Sequence, residues 1–242
     1  MSLDTVSIAQ AEARSHDQRP IVVVLLHDWR AMAGAVLVIV IATLALLGPV
    51  WALGDPDAFT GTVYAPPSSD HPLGSDVLGR DVMTRLLLGG QVFLTQGVIA
   101  ALAGVGAGVL LGLLISVLRG AASRVVLFFS DSVMVIPQIL LVLVILAAFG
   151  ATTVTLIVSV ALAQVAYTAR VVEAAARRVV AQDYYRAARA IGRGRLALMV
   201  TEVLPNILGV VLVEFGVRLA VVFVALASLS YLGFSGDAIS WG

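Results

Sequence analysis

Long stretches without a single charge constrain this chain more than anything else in it. Ala31 to Gly54 carries none for 24 residues, and Leu86 to Leu118 carries none for 33. Val125 to Ala169 admits only Asp131 in 45 residues. A helix rises about 1.5 Å per residue, so about 20 apolar residues cross a hydrocarbon layer of roughly 30 Å. In lipid the backbone has no water to bond with, so such runs must close their own hydrogen bonds as helices. With 60% hydrophobic and 12% charged residues and a mean hydropathy of +1.02, the chain reads as an all-α polytopic membrane protein.

The runs divide into spans. Ala31–Gly54 is the first and Leu86–Leu118 the second, where Gly97, Gly104, Gly106, Gly108 and Gly112 predict close packing against a neighbour. The stretch 125–169 is too long for one crossing, and Gly150-Ala-Thr-Thr153 divides it into a third and a fourth. Ile207–Phe234 is the fifth. Residues 1–30 are polar and mixed in charge, without the shape of a signal peptide, and read as an N-terminal cytoplasmic tail ahead of a transmembrane domain over 31–242.

Charge orients the spans. Loop 54–85 holds Asp55, Asp57, Asp70, Asp76 and Asp81 against Arg80 and Arg85, a net −3, whereas residues 170–202 hold seven Arg against Glu173, Asp183 and Glu202, a net +4. Arg119 and Arg124 fall on the basic side. The positive-inside rule places the N-terminus and the basic segments in the cytoplasm and loop 54–85 outside.

Other chemistry is excluded. All 15 cationic residues are arginine, so there is no P-loop lysine and no Schiff base, and the absence of cysteine removes disulfides and thiolates. A net charge of zero argues against a nucleic-acid partner. His16, His27 and His71 have no second ligand at metal spacing, so no metal site is assigned.

The insert at 170–205 interrupts the apolar pattern while keeping helical periodicity. It is either a solvated basic face or a docking surface. Within it, Ala187-Ala188-x3-Gly192-x11-Leu204-Pro205 resembles the coupling-loop motif of ABC-importer permeases, with Arg186 where that family usually has Glu and Glu202 where an apolar residue is common. On this resemblance a short helix presents Tyr184, Tyr185, Arg186, Ala187 and Ala188 to an ATP-binding subunit. Gly192 lets the chain turn, and Leu204-Pro205 begins the next helix, where a missing N–H is tolerated.

A second signature stands apart from the first. His71-Pro-Leu-Gly-Ser-Asp-Val-Leu-Gly-Arg-Asp-Val-Met-Thr-Arg85 resembles the segment that precedes the second span in the dipeptide, oligopeptide and nickel permease family. Asp131-Ser-x4-Pro137, Tyr167-Thr-Ala-Arg170, Leu204-Pro-Asn206, Ser230-Tyr-Leu-Gly-Phe234 and Trp241-Gly242 extend the similarity, which favours the second of the two permeases such systems encode. The resemblance implies a type I ABC-importer transmembrane domain, in which five spans are present and a sixth, expected after Trp241-Gly242, is missing. It further implies a non-catalytic subunit of a bacterial inner-membrane importer for peptides or similar small solutes. Its partners would be a sister permease, two ATP-binding subunits that hold ATP and Mg, and an external substrate-binding protein, with no cofactor of its own. The rival is a stand-alone secondary transporter.

Four residues are candidates for the path or gate. Glu214 and Arg218 lie one helical turn apart in the fifth span and either line the path or neutralise each other. Asp131 either gates or pairs with Arg124. Pro137 should kink or break the third span, as a gating element or for packing. Asp76, Arg80 and Asp81 read as a structural cap, the other reading being a contact for an external carrier.

Overall fold

The computed structural model describes residues 28–52, 54–118 and 120–234. Residues 1–27 of the expected tail with His16 and His27, Arg119 of the basic turn, and the Trp241-Gly242 pair lie outside the described residues.

Helix α1 (Trp29–Trp51) starts at Asp28, whose carboxylate accepts the N–H of Arg30 at 2.9 Å and satisfies one of the free donors at the helix start. Its apolar surface is almost all open: only Ala45 and Gly48 are buried. Gly48 marks the crossing with the next helix, because a Cβ there would collide with the Leu87 backbone.

Helix α2 (Val82–Val117) is 36 residues long, about 54 Å, and is capped by Asp81, which accepts the Thr84 N–H at 2.8 Å. Its most extensive contact is with α5 (Thr153–Val180). A Cβ built on Gly104 would lie 2.7 Å from the Ala161 carbonyl, one on Gly108 would lie 2.5 Å from Thr168, and one on Gly112 would lie 2.6 Å from the Ala169 carbonyl. Glycine every fourth residue thus lets two backbones touch, which supplies the dispersion contact that lipid-exposed leucines cannot. Of the glycines expected to pack, Gly106 instead faces open space and Gly97 faces the Phe223 ring.

Positions 104, 108 and 112 meet increasing positions on α5, so α2 and α5 run parallel. The intervening chain must therefore cross back. It does so as α3 (Ala121–Val135) and α4 (Gln138–Phe149), which meet at 91° across Ile136-Pro137. The expected third span is a pair of helices sharply bent against each other, together long and apolar enough for one crossing. A proline cannot donate into a continuing helix and clashes with the carbonyl one turn back. Gly150 ends α4 at φ +86, and Thr152 caps α5 by accepting from Thr155.

Beyond α5 come α6 (Asp183–Ala190), α7 (Arg195–Leu198), a π-helical turn (Met199–Val203) and α8 (Leu204–Tyr231). The last three form a continuous rod over 195–231. Pro205 sits in the first turn of α8, as the sequence suggested, but that helix continues without a break from the π turn before it. The π turn makes this possible: Leu204 donates to the carbonyl of Met199, five residues back. The wider turn opens the ladder where the proline would otherwise clash.

Candidate functional site: the insert helix and the polar seam behind it

Helix α6 is short, with Asp183 in its first turn and Arg189 in its last, the arrangement its dipole favours. It ends in a tight C-cap: Gly192 at φ +88 donates to Arg189, and Arg193 donates to Ala188 at 3.4 Å. The positive φ suits glycine.

The five residues expected to face a partner divide between two sides. Tyr184 is 46% exposed, Ala187 is exposed, and Arg186 is exposed with a long 3.9 Å contact to Asp183. Tyr185, by contrast, is 2% exposed, packed with Val172 and Ala176 of α5 and with Leu198, Met199 and Val203 of the rod. Ala188 packs against the same cluster. Tyr185 is an anchor rather than a presented side chain: on a two-turn helix, consecutive residues point about 100° apart, so both tyrosines cannot face out. Leu204 is half-buried and Pro205 exposed.

The loop after α6 is tied to the rod. Arg193 donates to Glu202 Oε1 at 2.6 Å and to Thr201 Oγ1 at 2.9 Å. Asn206 Nδ2 donates to the Glu202 carbonyl at 2.5 Å, one helical turn back.

Arg170 joins α5 to α3. Its Nε reaches Asp131 Oδ1 at 3.1 Å and its Nη2 reaches Oδ2 at 3.2 Å, a bidentate pair. Asp131 thus pairs with Arg170 and not with Arg124, which the sequence offered, because Arg124 lies nearly two turns back on the same helix. Glu173, 6% exposed, sits between Arg170 and Arg177, and Arg177 also donates to Ser123 Oγ of α3 at 3.1 Å. This ladder escaped the sequence reading, although the spacing of Arg170, Glu173 and Arg177 at i, i+3 and i+7 on one helical face could have revealed it.

Deeper in the bundle, Glu214 and Arg218 of α8 pair at 2.5 Å, with side chains 8% and 15% exposed. Thr168 of α5 donates to Glu214 at 3.4 Å, and the Arg218 guanidinium lies 5.2 Å from the Tyr167 ring centroid. Tyr167 in turn donates to the Met134 carbonyl, three residues before Pro137. The pair is neutralised internally and joins α8 to α5. Burial of one partner without the other would leave an uncompensated charge.

The opposite end of the bundle carries loop 54–81. Asp76 accepts from Leu78, from the Arg80 N–H and from its guanidinium, and Asp81 accepts from both donors of Thr84 and contacts His71 at 3.2 Å. Partial burial works against ionisation of both carboxyls. At Asp76 the Arg80 and Leu78 bonds outweigh it, and at Asp81 those of Thr84 and His71 do, so both stay below the usual carboxylate value. Among the described residues, no group of three His, Asp or Glu side chains could hold a metal.

The architecture has known counterparts. A family described as "Binding-protein-dependent transport system inner membrane component" matches residues 104–240, which include α5, α6 and the rod. A glutathione transport system permease protein of Pectobacterium atrosepticum is 32% identical over 171 residues, 71% of this chain and 57% of that one. A putative peptide transport system permease protein of Brucella suis is 32% identical over 86% of this chain and 71% of its own length. A probable D,D-dipeptide transport system permease protein of Escherichia coli is 29% identical over 87% of this chain and 72% of its own. These likenesses, together with four helices long and apolar enough to cross a membrane, a bent pair of apolar helices and an insert helix seated on two of the long ones, favour a permease over a stand-alone secondary transporter: the chain belongs to the family of binding-protein-dependent transport system inner membrane components.

Proposed function

We propose that this chain is one transmembrane subunit of an ATP-driven importer for peptides or related small solutes, and that α6 is where cytoplasmic ATP-binding subunits push on it. One observation carries the reading: α6 leaves Tyr184, Arg186 and Ala187 open while Tyr185 locks its other face onto both α5 and the rod. A push on α6 therefore reaches two spans at once. Exposed tyrosine and arginine are residue types that anchor interfaces, and small alanines allow close approach.

The remaining partners are a sister permease and an external substrate-binding protein. ATP and Mg belong to the ATP-binding subunits, and this chain conducts rather than hydrolyses. Its N-terminus and insert lie in the cytoplasm, by the charge asymmetry, and loop 54–81 lies outside. The half-open faces of α1 and α8 suit a sister subunit. The bend at Pro137, held by Asp131–Arg170 below it and approached by Tyr167 from α5, is the candidate gate. Glu214 and Arg218 hold the wall behind it.

The test is substitution of Tyr184 by Asp and of Gly192 by Val in the complex co-expressed with its ATP-binding subunits. Co-purification of those subunits, and uptake of a labelled dipeptide into proteoliposomes, should each fall about tenfold. Unchanged association and uptake in both variants would sink the reading.

A further inference from the structure

Between α6 and the rod the chain has little to hold it. Gly192 and Gly194 flank Arg193, and a Cβ at either glycine would meet no atom within 4 Å. Ile191 is 80% exposed. Across this open segment runs one polar connection, from the Arg193 guanidinium to Glu202 and Thr201.

Both acceptors belong to the π turn. A π turn holds one residue more than the α-helical path needs, so it has a second arrangement available, the α-helical one, reached by a small slip of the segment. Pro205 biases the choice, since in a regular ladder its ring would press on the Thr201 carbonyl. The side chains answer in kind. Thr201 Oγ1 donates to Ala197 at 2.9 Å, and Asn206 covers the Glu202 carbonyl. The same two residues, 201 and 202, thus serve the backbone rearrangement and receive the arginine.

We propose that Arg193 is a latch which makes the exit of α6 and the π turn one mechanical unit, so that displacement of α6 drives α8 through Glu202 and Thr201 rather than being absorbed by the two glycines. The proposal rests on the reading of α6 as the coupling helix. Tyr185 couples the same elements through apolar contact, but it touches α5 as well and so moves the insert as a block. The Arg193 bonds alone reach the π turn from the flexible side. Arg193 acts through Glu202 and is a positioning residue. Its fork matches two acceptors at once, which a lysine could not do with fixed geometry.

The chain contains no cysteine, so labels can be placed cleanly. Cysteines at Val158 of α5 and Val213 of α8, both exposed, carry spin labels in the full complex with its ATP-binding subunits, and the distance between them is measured with ADP and with ATP plus vanadate. The latch predicts a nucleotide-dependent change that falls at least fivefold in Arg193→Gln and in Glu202→Gln, while ATP-binding subunits still co-purify and basal ATP hydrolysis persists. The charge-exchanged pair Arg193→Glu with Glu202→Arg should regain at least half of the change. An undiminished change in the single variants overturns the latch, as does failure of the exchanged pair to recover it. Loss of ATP-binding subunits in Arg193→Gln also overturns it, by placing Arg193 in the interface itself. No distance change with the latch intact and the subunits bound would instead overturn the coupling reading on which it stands.

Discussion

The two polar segments at opposite ends of the bundle are fastened in opposite ways. Loop 54–81 is closed on itself: Thr60 donates to Gly79 at 2.8 Å, Ser75 donates to the Thr62 carbonyl at 2.6 Å, and Asp76 and Asp81 satisfy donors within four residues. Its polar ties to the spans go to the start of α2, where Asp81 caps the helix, Val82 donates to the Gly74 carbonyl at 3.1 Å, and Arg85 reaches Asp57 at 3.1 Å, the Pro56 carbonyl at 3.5 Å and Asp76 at 4.0 Å. The insert is the reverse. Its own backbone bonds are confined to short helices, and its side chains run to other elements: Tyr185 to α5 and the rod, and Arg193 to the π turn. A self-closed loop can keep its shape while the spans move, whereas a cross-tied insert cannot move without them. That difference suits one end to presenting a fixed surface and the other to transmitting force.

The comparison breaks first at Tyr185. Tyr185→Ala removes a fully packed aromatic and should cost about 3 kcal/mol. Trypsin should then cut at Arg186 and Arg189 much faster in detergent-purified complex while Arg80, the one trypsin site in loop 54–81, stays as protected as before. Equal change at both ends would show that the bundle, not the insert alone, had loosened.

A smaller effect is expected at Arg170. The pair with Asp131 is nearly half-exposed, so solvent screening limits it to about 1 kcal/mol. Arg170→Ala should lower the melting temperature of the purified complex by about 2–4 °C, for a chain of this size. Asp131→Asn should do the same, and the double variant should fall short of the sum. Additive losses would mean that the two residues act separately.

The smallest effect belongs to the acidic loop. Asp81→Ala should cost about 0.5–1 kcal/mol and loosen only the start of α2. Because both Asp76 and Asp81 are held below their usual values, their contribution is complete above the unfolded value of about 4 and is lost as pH falls through the lower folded values. Protection of the loop from proteolysis should be flat from pH 7 to about 5 and decline below about 4. A decline already complete above about pH 5 would rule out the two carboxyls as its cause.

Several of these elements were legible in the chain itself. Uncharged runs gave the apolar helices, Gly150-Ala-Thr-Thr153 the α4–α5 break, Pro137 the interruption of the third run, and the glycines of the second run its close packing against a neighbour. Short-range chemistry explains each: lipid forbids open backbone, proline lacks a donor, and glycine lacks a Cβ. The misreadings were of another kind. Tyr185 looked like a neighbour of Tyr184 on a docking face, and only the packing of α5 against the rod showed that it points inward. Pro205 does stand in the first turn of α8, but the π turn that joins it to the segment before was not visible, because it depends on where Met199 and Val203 are buried. Arg124 looked like the partner of Asp131, and the partner came from another helix.

The sequence alone determined the class of molecule, the places of its long apolar runs, the charge difference between its polar segments and the motif by which its relatives can be found. These follow from interactions between residue and solvent or between near neighbours along the chain. Tertiary structure decided that α2 and α5 run parallel, that Asp131 belongs to Arg170, that Tyr185 is an anchor and that Arg193 reaches the π turn. Arg193 and Glu202 are 9 positions apart along the chain, and Asp131 and Arg170 are 39 apart. Nothing local selects one arginine among fifteen, and only the packing of whole helices brings the right one within reach.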